Sequence, residues 1–547
     1  MAWYPSYSWT GPPAEFNATN TETGGDANWL TDEPEPLRRH RESQPVVPGR
    51  RPGIHHRVGM YGLADGARYS GLSRRKSALS LIWVVMMSFS VVIFQWYFWG
   101  YSLAFSTTAK NGFIGDLHHF GLMNTLAAPS PGSPLVPELL YSFYQMMFCG
   151  VTAALVIGAV AERGRVLPAM VFVFFWCTIV YCPLACWIWN VNGWAFNYGA
   201  LDYAGGGPVE IGSGMSALAY SWILGRRHER MMLNFRPHNV SLVTLGTVFL
   251  WFGWLGFNGG SAFGANLRAT MACWNSCLTA MFAAMTWCLL DYRLARKWSM
   301  VGWCSGTISG LVAATPASGF IPPWASIILG VVTGVCCNFG TKVKFLVGID
   351  DSLDVFAEHA IGGIVGLIFN ALFGANYIIG LDGVNNGVLP GGWLDHHYAQ
   401  LYIQIAYIVA ACAYSFVVSA IIAKLIDMVP GLHLRASEEA ELMGMDDDQL
   451  GEFAYDYVEV RRDFLAWTPA KEEPVGDGHR IIPQHGIEEH QHMANTTGQT
   501  PPPDFSELKA EQEKMGASAR APAKERAAEE SAAESTGQEL PASRSSS

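Results

Sequence analysis

The sequence predicts an all-α polytopic membrane protein, and three observations carry that expectation. Half of the 547 residues are apolar and 15% are charged, too apolar a balance for an ordinary soluble chain. Windows of roughly 18–25 residues almost free of charge recur from Leu79 onward, the length that crosses hydrocarbon. Basic residues crowd into alternate connections between those windows.

Taken in order, the windows give ten spans at 79–105, 138–160, 167–190, 208–225, 240–260, 270–291, 298–315, 320–340, 356–375 and 399–428. Several hold glycine and serine in place of bulky residues, as in "GLVAAT" and "GVVTGVCC". Small residues let helices approach closely inside a membrane. One set of connections carries Arg74, Arg75, Lys76, Arg163, Arg165, Arg226, Arg227, Arg230, Arg236, Arg293, Arg296, Lys297, Lys342 and Lys344. The alternate set carries only Lys110 and Arg268. The asymmetry assigns the first set to the cytoplasm, and an even number of spans leaves both termini there.

The flanks differ in composition. Residues 1–78 are polar, rich in Pro, Arg and His, and hold neither a span nor the apolar run of a signal peptide. Residues 79–428 form the transmembrane domain. An acidic stretch at 429–470 is expected to fold as a cytoplasmic tail, and 471–547 turns to Pro, Ser, Glu and Ala, a composition that cannot build a core. Much of the net charge of −11 sits in these C-terminal residues, so it gives no support to nucleic-acid binding. The 11 cysteines lie in or beside the spans without zinc or disulfide spacing, which makes them small buried hydrophobes.

Two stretches resemble each other. "DYAGGGPVEIGSG" begins at Asp202 and "DSLDVFAEHAIGG" at Asp351. Each opens on an aspartate, places a titratable group eight residues on (Glu210, then His359), and continues through small residues into a span. The spans are the fourth and the ninth, so they enter from opposite faces. That is the pattern of an inverted repeat, whose functional site lies near the midplane where the halves meet. Glu210 and His359 should therefore face each other. The competing reading is chance similarity, with Glu210 reaching an interface and His359 held by a backbone carbonyl. Lone ionisable groups are rare in spans, which favours the paired site. The repeat also leaves the first half one helix short before Leu79. Either the chain lacks that helix or the stretch reflects a misassigned intron or reading frame.

Aromatic residues cluster near the ends of the spans opposite the basic connections: Phe148 in "YQMMFCG", Trp189 in "CWIWN", Phe257 and Ser261 in "WFGWLGFNGGS". They suit either an interfacial belt or a site where rings and a hydroxyl replace part of a cation's hydration shell. His118, His119, His396 and His397 read as solvated loop residues, and no cofactor or metal site is legible.

With these motifs in view, the chain resembles the ammonium transporter family, most closely its fungal methylammonium permeases. "YSGLSRRKSALSLIW", "FWGYSLAFS", "IGAVAERGR", "LDYAGG" and "DDSLDVFAEH" carry the resemblance, which runs from about Tyr69 to Trp467. It implies an eleven-helix fold with five-plus-five inverted repeats, here lacking the first helix, assembled as a homotrimer in the plasma membrane. It further implies Trp189 and Ser261 as an outer site that recruits ammonium or methylammonium, with Asp202 below it and Asp351 as its repeat mate. Phe148 and Phe257 match a stacked phenyl gate. Glu210 and His359 occupy the family's twin-histidine positions, where Glu marks a branch similar to low-affinity, high-capacity carriers. A receptor of the same fold that couples ammonium occupancy to signalling is the alternative, and a membrane enzyme lacks any legible nucleophile or metal cluster.

Overall fold

The computed structural model describes residues 66–455 except 127, 133–135, 233–235, 265 and 383–388. Ten helical segments follow the ten expected spans. They are α1 (Arg75–Phe105), α2 (Glu138–Val160), α3 (Val166–Tyr198), α4 (Gly206–Ile211 running into Gly212–Leu224) and α5 (Val240–Gly260). Then come α6 (Leu267–Ala295), α7 (Met300–Ala317), α8 (Pro323–Val347), α9 (Phe356–Phe373) and α10 (Gln400–Asp427). Among the described residues there is no β-strand.

Eight of the ten are long and apolar enough to cross a membrane. The other two, α4 and α7, are diluted by glycine, serine and threonine. Burial explains this: most of both helices is enclosed by protein, so close approach matters more there than affinity for lipid. On α7, a methyl at Gly306 or Gly310 would lie 2.8 or 2.6 Å from the α6 backbone at Ala284 or Ala280. These glycines let α6 and α7 pack backbone to backbone.

The packed body begins earlier than the boundary expected at Leu79. Residues 66–72 are helical, and Arg68, Tyr69 and Ser73 are buried. Arg68 makes an ion pair with Glu358 of α9 at 2.6 Å, and Tyr69 donates its hydroxyl to the Leu155 carbonyl. A charged side chain in an apolar bundle needs such a partner. Residues 1–65, where the missing helix was expected, lie outside the described residues, as does the tail beyond Tyr455.

The acidic segment after α10 packs against the basic end of the bundle. Leu434 O accepts from Arg165 N–H, and Ala436 N–H donates to Arg163 O, both at 2.9 Å. Asp446 accepts from the Leu79 and Ser80 amides at 3.0 and 2.7 Å, which caps the first turns of α1 with negative charge. The neutral Gln449 side-chain carbonyl accepts from the Val166 amide at 2.9 Å at the start of α3. Beneath this layer Arg227 bridges Glu162 (2.6 Å) and Asp350 (2.8 Å), all three buried or nearly so. Burial alone would raise the Asp350 carboxyl, but hydrogen bonds and charge from Arg227 and Arg163 hold it well below the usual carboxylate range.

Candidate functional site

Each of the two matched stretches folds into the same device. Asp202 Oδ1 accepts from the Gly205 and Gly206 amides, and its Oδ2 accepts from Gly207 at 2.7 Å. Asp351 Oδ2 accepts from the amide of Phe356, again five residues on, at 2.8 Å. A wide π-turn follows each aspartate, Gly206–Ile211 opening α4 and Phe356–Ala360 opening α9. Such turns recur at functional sites because they displace the side chains of a regular helix. Gly205 takes φ 114°, a conformation that suits glycine and lets the chain double back beneath Asp202.

The two turns meet. A methyl at Gly214 would sit 2.4 Å from the Ala360 amide nitrogen, and one at Gly363 would sit 2.8 Å from Glu210 Cβ. Glycine at both crossings lets α4 and α9 touch, and this brings His359 Nδ1 to 2.8 Å from Glu210 Oε2. Both side chains are almost fully buried. When Glu210 is ionised its carboxylate can only accept, so Nδ1 then carries the proton and Nε2 of a neutral ring is an acceptor. Among the described residues Nε2 has no hydrogen-bond partner.

Phe148 of α2 and Phe257 of α5 stack with centroids 4.0 Å apart and planes 25° from parallel. Trp189, the last residue of the Cys182–Trp189 stretch of α3, meets Phe148 edge-on at 5.9 Å. Ser261 closes the C-terminus of α5 and donates to the Phe257 carbonyl at 2.9 Å. Trp189, Ser261 and Asp202 line one cavity of about 60 Å³, together with Tyr203, Phe263 and Arg268. The structure thus brings together the aromatic pair, the indole and the hydroxyl that the sequence singled out.

Asp202 has a more particular place than its motif suggests. Besides three amides, its carboxylate accepts from the Tyr407 hydroxyl of α10 at 3.2 Å. Its oxygens are engaged in shaping the turn that carries Glu210. Tyr144 escaped the sequence reading: its hydroxyl donates to Phe257 O at 2.6 Å and lies 3.0 Å from Ser261 Oγ. The signal was its position four residues before Phe148, hence on the same helix face. His119 departs from the expected solvated loop residue. It is buried, with Nδ1 3.0 Å from Met123 O and Nε2 3.5 Å from Glu138, because the connection after α1 folds back onto α2.

Comparison with known proteins identifies the family. The sequence model of the Ammonium Transporter Family matches residues 60–455. In Saccharomyces cerevisiae, ammonium transporter MEP1 is 56% identical over 422 residues, covering 77% of this chain and 85% of that protein. Ammonium transporter 2 of Schizosaccharomyces pombe is 53% identical, covering 77% and 82%. The crystal structure of Saccharomyces cerevisiae Mep2 superposes with a TM-score of 0.68 at 47% identity, covering 71% of this chain and 88% of that one. Candida albicans Mep2 gives 0.68 at 44%, covering 78% and 93%. With a family match across nearly all described residues and relatives above half identity, the chain belongs to the ammonium transporter family.

Proposed function

We propose that this chain carries ammonium across the plasma membrane through a pore that transmits ammonia and a proton separately. The observation that carries the reading is the hydrogen-bonded Glu210–His359 pair, buried in the same bundle as the stacked Phe148 and Phe257 rings. Ammonium and potassium are alike in size and charge, and an apolar conduit penalises both. Ammonium alone can give up a proton.

The steps balance. Ammonium is held first at Trp189 and Ser261, where cation–π attraction contributes about 0.5–2 kcal/mol. One N–H bond breaks near the phenyl pair, giving neutral ammonia and a proton. Ammonia passes the apolar stretch without the desolvation cost of a cation. The proton travels by way of the Glu210 carboxylate and the His359 ring, whose titrations are coupled. Recombination on the far side restores ammonium, so one positive charge moves per cycle. Asp202 and Asp351 hold the two turns in register. Methylammonium offers the same N–H chemistry, and a homotrimer with the acidic tail in the cytoplasm is the assembly proposed.

Expression in cells lacking their own ammonium transporters tests the reading. Growth on limiting ammonium, with an inward current on ammonium addition, is the expected result. Signalling without uptake would assign the chain to receptors of the same fold.

A further inference from the structure

We infer that Asp382 sets the ammonium affinity of the outer vestibule by neutralising Arg268, a cation built into the vestibule wall; the inference rests on the transport reading above. Arg268 lines the same cavity as Trp189 and Ser261. A guanidinium does not lose its proton in proteins, so this site holds a permanent positive charge where a small cation must settle. Left alone, it would repel the substrate.

The surroundings of Arg268 answer that conflict. Its Nη2 lies 2.9 Å from Asp382 Oδ2, with both side chains largely buried. Nη1 donates to the Ile379 carbonyl at 3.2 Å, and the guanidinium sits 5.6 Å from the centre of the Tyr203 ring. That ring is fixed in turn, because the Tyr203 hydroxyl donates to Asn258 O at 2.8 Å. Three partners thus hold one charge. Asp382 lies in the turn Gly380–Asp382, in the connection between α9 and α10, whereas Arg268 opens α6. The pair therefore joins two distant parts of the chain at the cavity where the cation is taken up, and together they present little net charge. Either charge alone would shift the local potential, with opposite sign.

The opposite signs give the test. Ammonium-evoked current is recorded from the full chain in proteoliposomes, across ammonium concentrations, for wild type, D382N, R268Q and the double variant. D382N exposes the guanidinium and is expected to raise the half-saturating ammonium concentration about threefold to tenfold. R268Q leaves the carboxylate and is expected to lower it by a similar factor. The double variant returns to within about twofold of wild type, and both single shifts shrink in high impermeant salt. A pair that merely ties two loops together would move both single variants in the same direction, insensitive to salt. That result, or no shift in either, overturns the inference. Should D382N fail to assemble, R268Q alone decides, since a raised half-saturating concentration is the wrong sign. Absence of any wild-type current would instead defeat the transport reading, and the inference with it.

Discussion

His359 Nδ1 lies within hydrogen-bond distance, 2.8 Å, of Glu210 Oε2, joining positions 149 residues apart. The approach is possible because Gly214 and Gly363 at the α4–α9 crossing carry no Cβ, which would otherwise strike Ala360 and Glu210. A carboxylate so placed fixes the imidazole tautomer and aims a basic nitrogen away from itself.

Glu210→Gln keeps the shape and an acceptor oxygen for His359 but cannot hold a negative charge. It is expected to reach the membrane in normal amount, unfold within a few degrees of wild type, and lose at least about 90% of the ammonium-evoked current, a barrier increase of about 1.4 kcal/mol. Current equal to wild type would remove the carboxylate from proton transfer.

Trp189→Leu removes the aromatic face of the proposed recruitment site. The half-saturating ammonium concentration should rise about twofold to thirtyfold, the range a lost cation–π contact spans. Transport at saturating ammonium should fall much less. An unchanged concentration dependence assigns Trp189 to packing against Phe148 alone.

Asp202→Asn turns an acceptor into a donor where Gly207 and Tyr407 both donate. Leaving those groups unmatched is expected to cost about 2 kcal/mol or more of stability, read as a lowered melting temperature. A variant that melts like wild type but needs more ammonium would make Asp202 a direct ligand.

Asp350→Asn should destabilise the basic end of the bundle by about 3 kcal/mol, because Arg227 loses a buried partner. The pH dependence follows from a depressed carboxyl. Its contribution is present above the ordinary aspartate value and is lost as pH falls towards the depressed one. The melting gap between wild type and variant should stay level from about pH 8 to about pH 5 and close only below about pH 4. A gap that closes near neutrality would show that another group is titrating.

The sequence by itself determined the membrane class, the ten helical stretches, the basic end of the bundle and the Asp–Glu and Asp–His repeat. These follow from properties each residue carries alone: transfer to hydrocarbon, charge, and a spacing repeated in the same order. Phe148, Trp189, Phe257 and Ser261 were legible through the motifs that hold them. Only the tertiary structure decided what those residues touch. Asp202 gives its oxygens to three amides and a tyrosine, Tyr144 shares a carbonyl with Ser261, Arg268 is matched by Asp382, and Asp446 caps α1 through the amide of Leu79, 367 residues earlier. The physical reason is that hydropathy acts on each segment independently, whereas a hydrogen bond requires two groups within about 3 Å. Which groups come that close is set by where small residues allow helices to cross, and a crossing belongs to two segments at once.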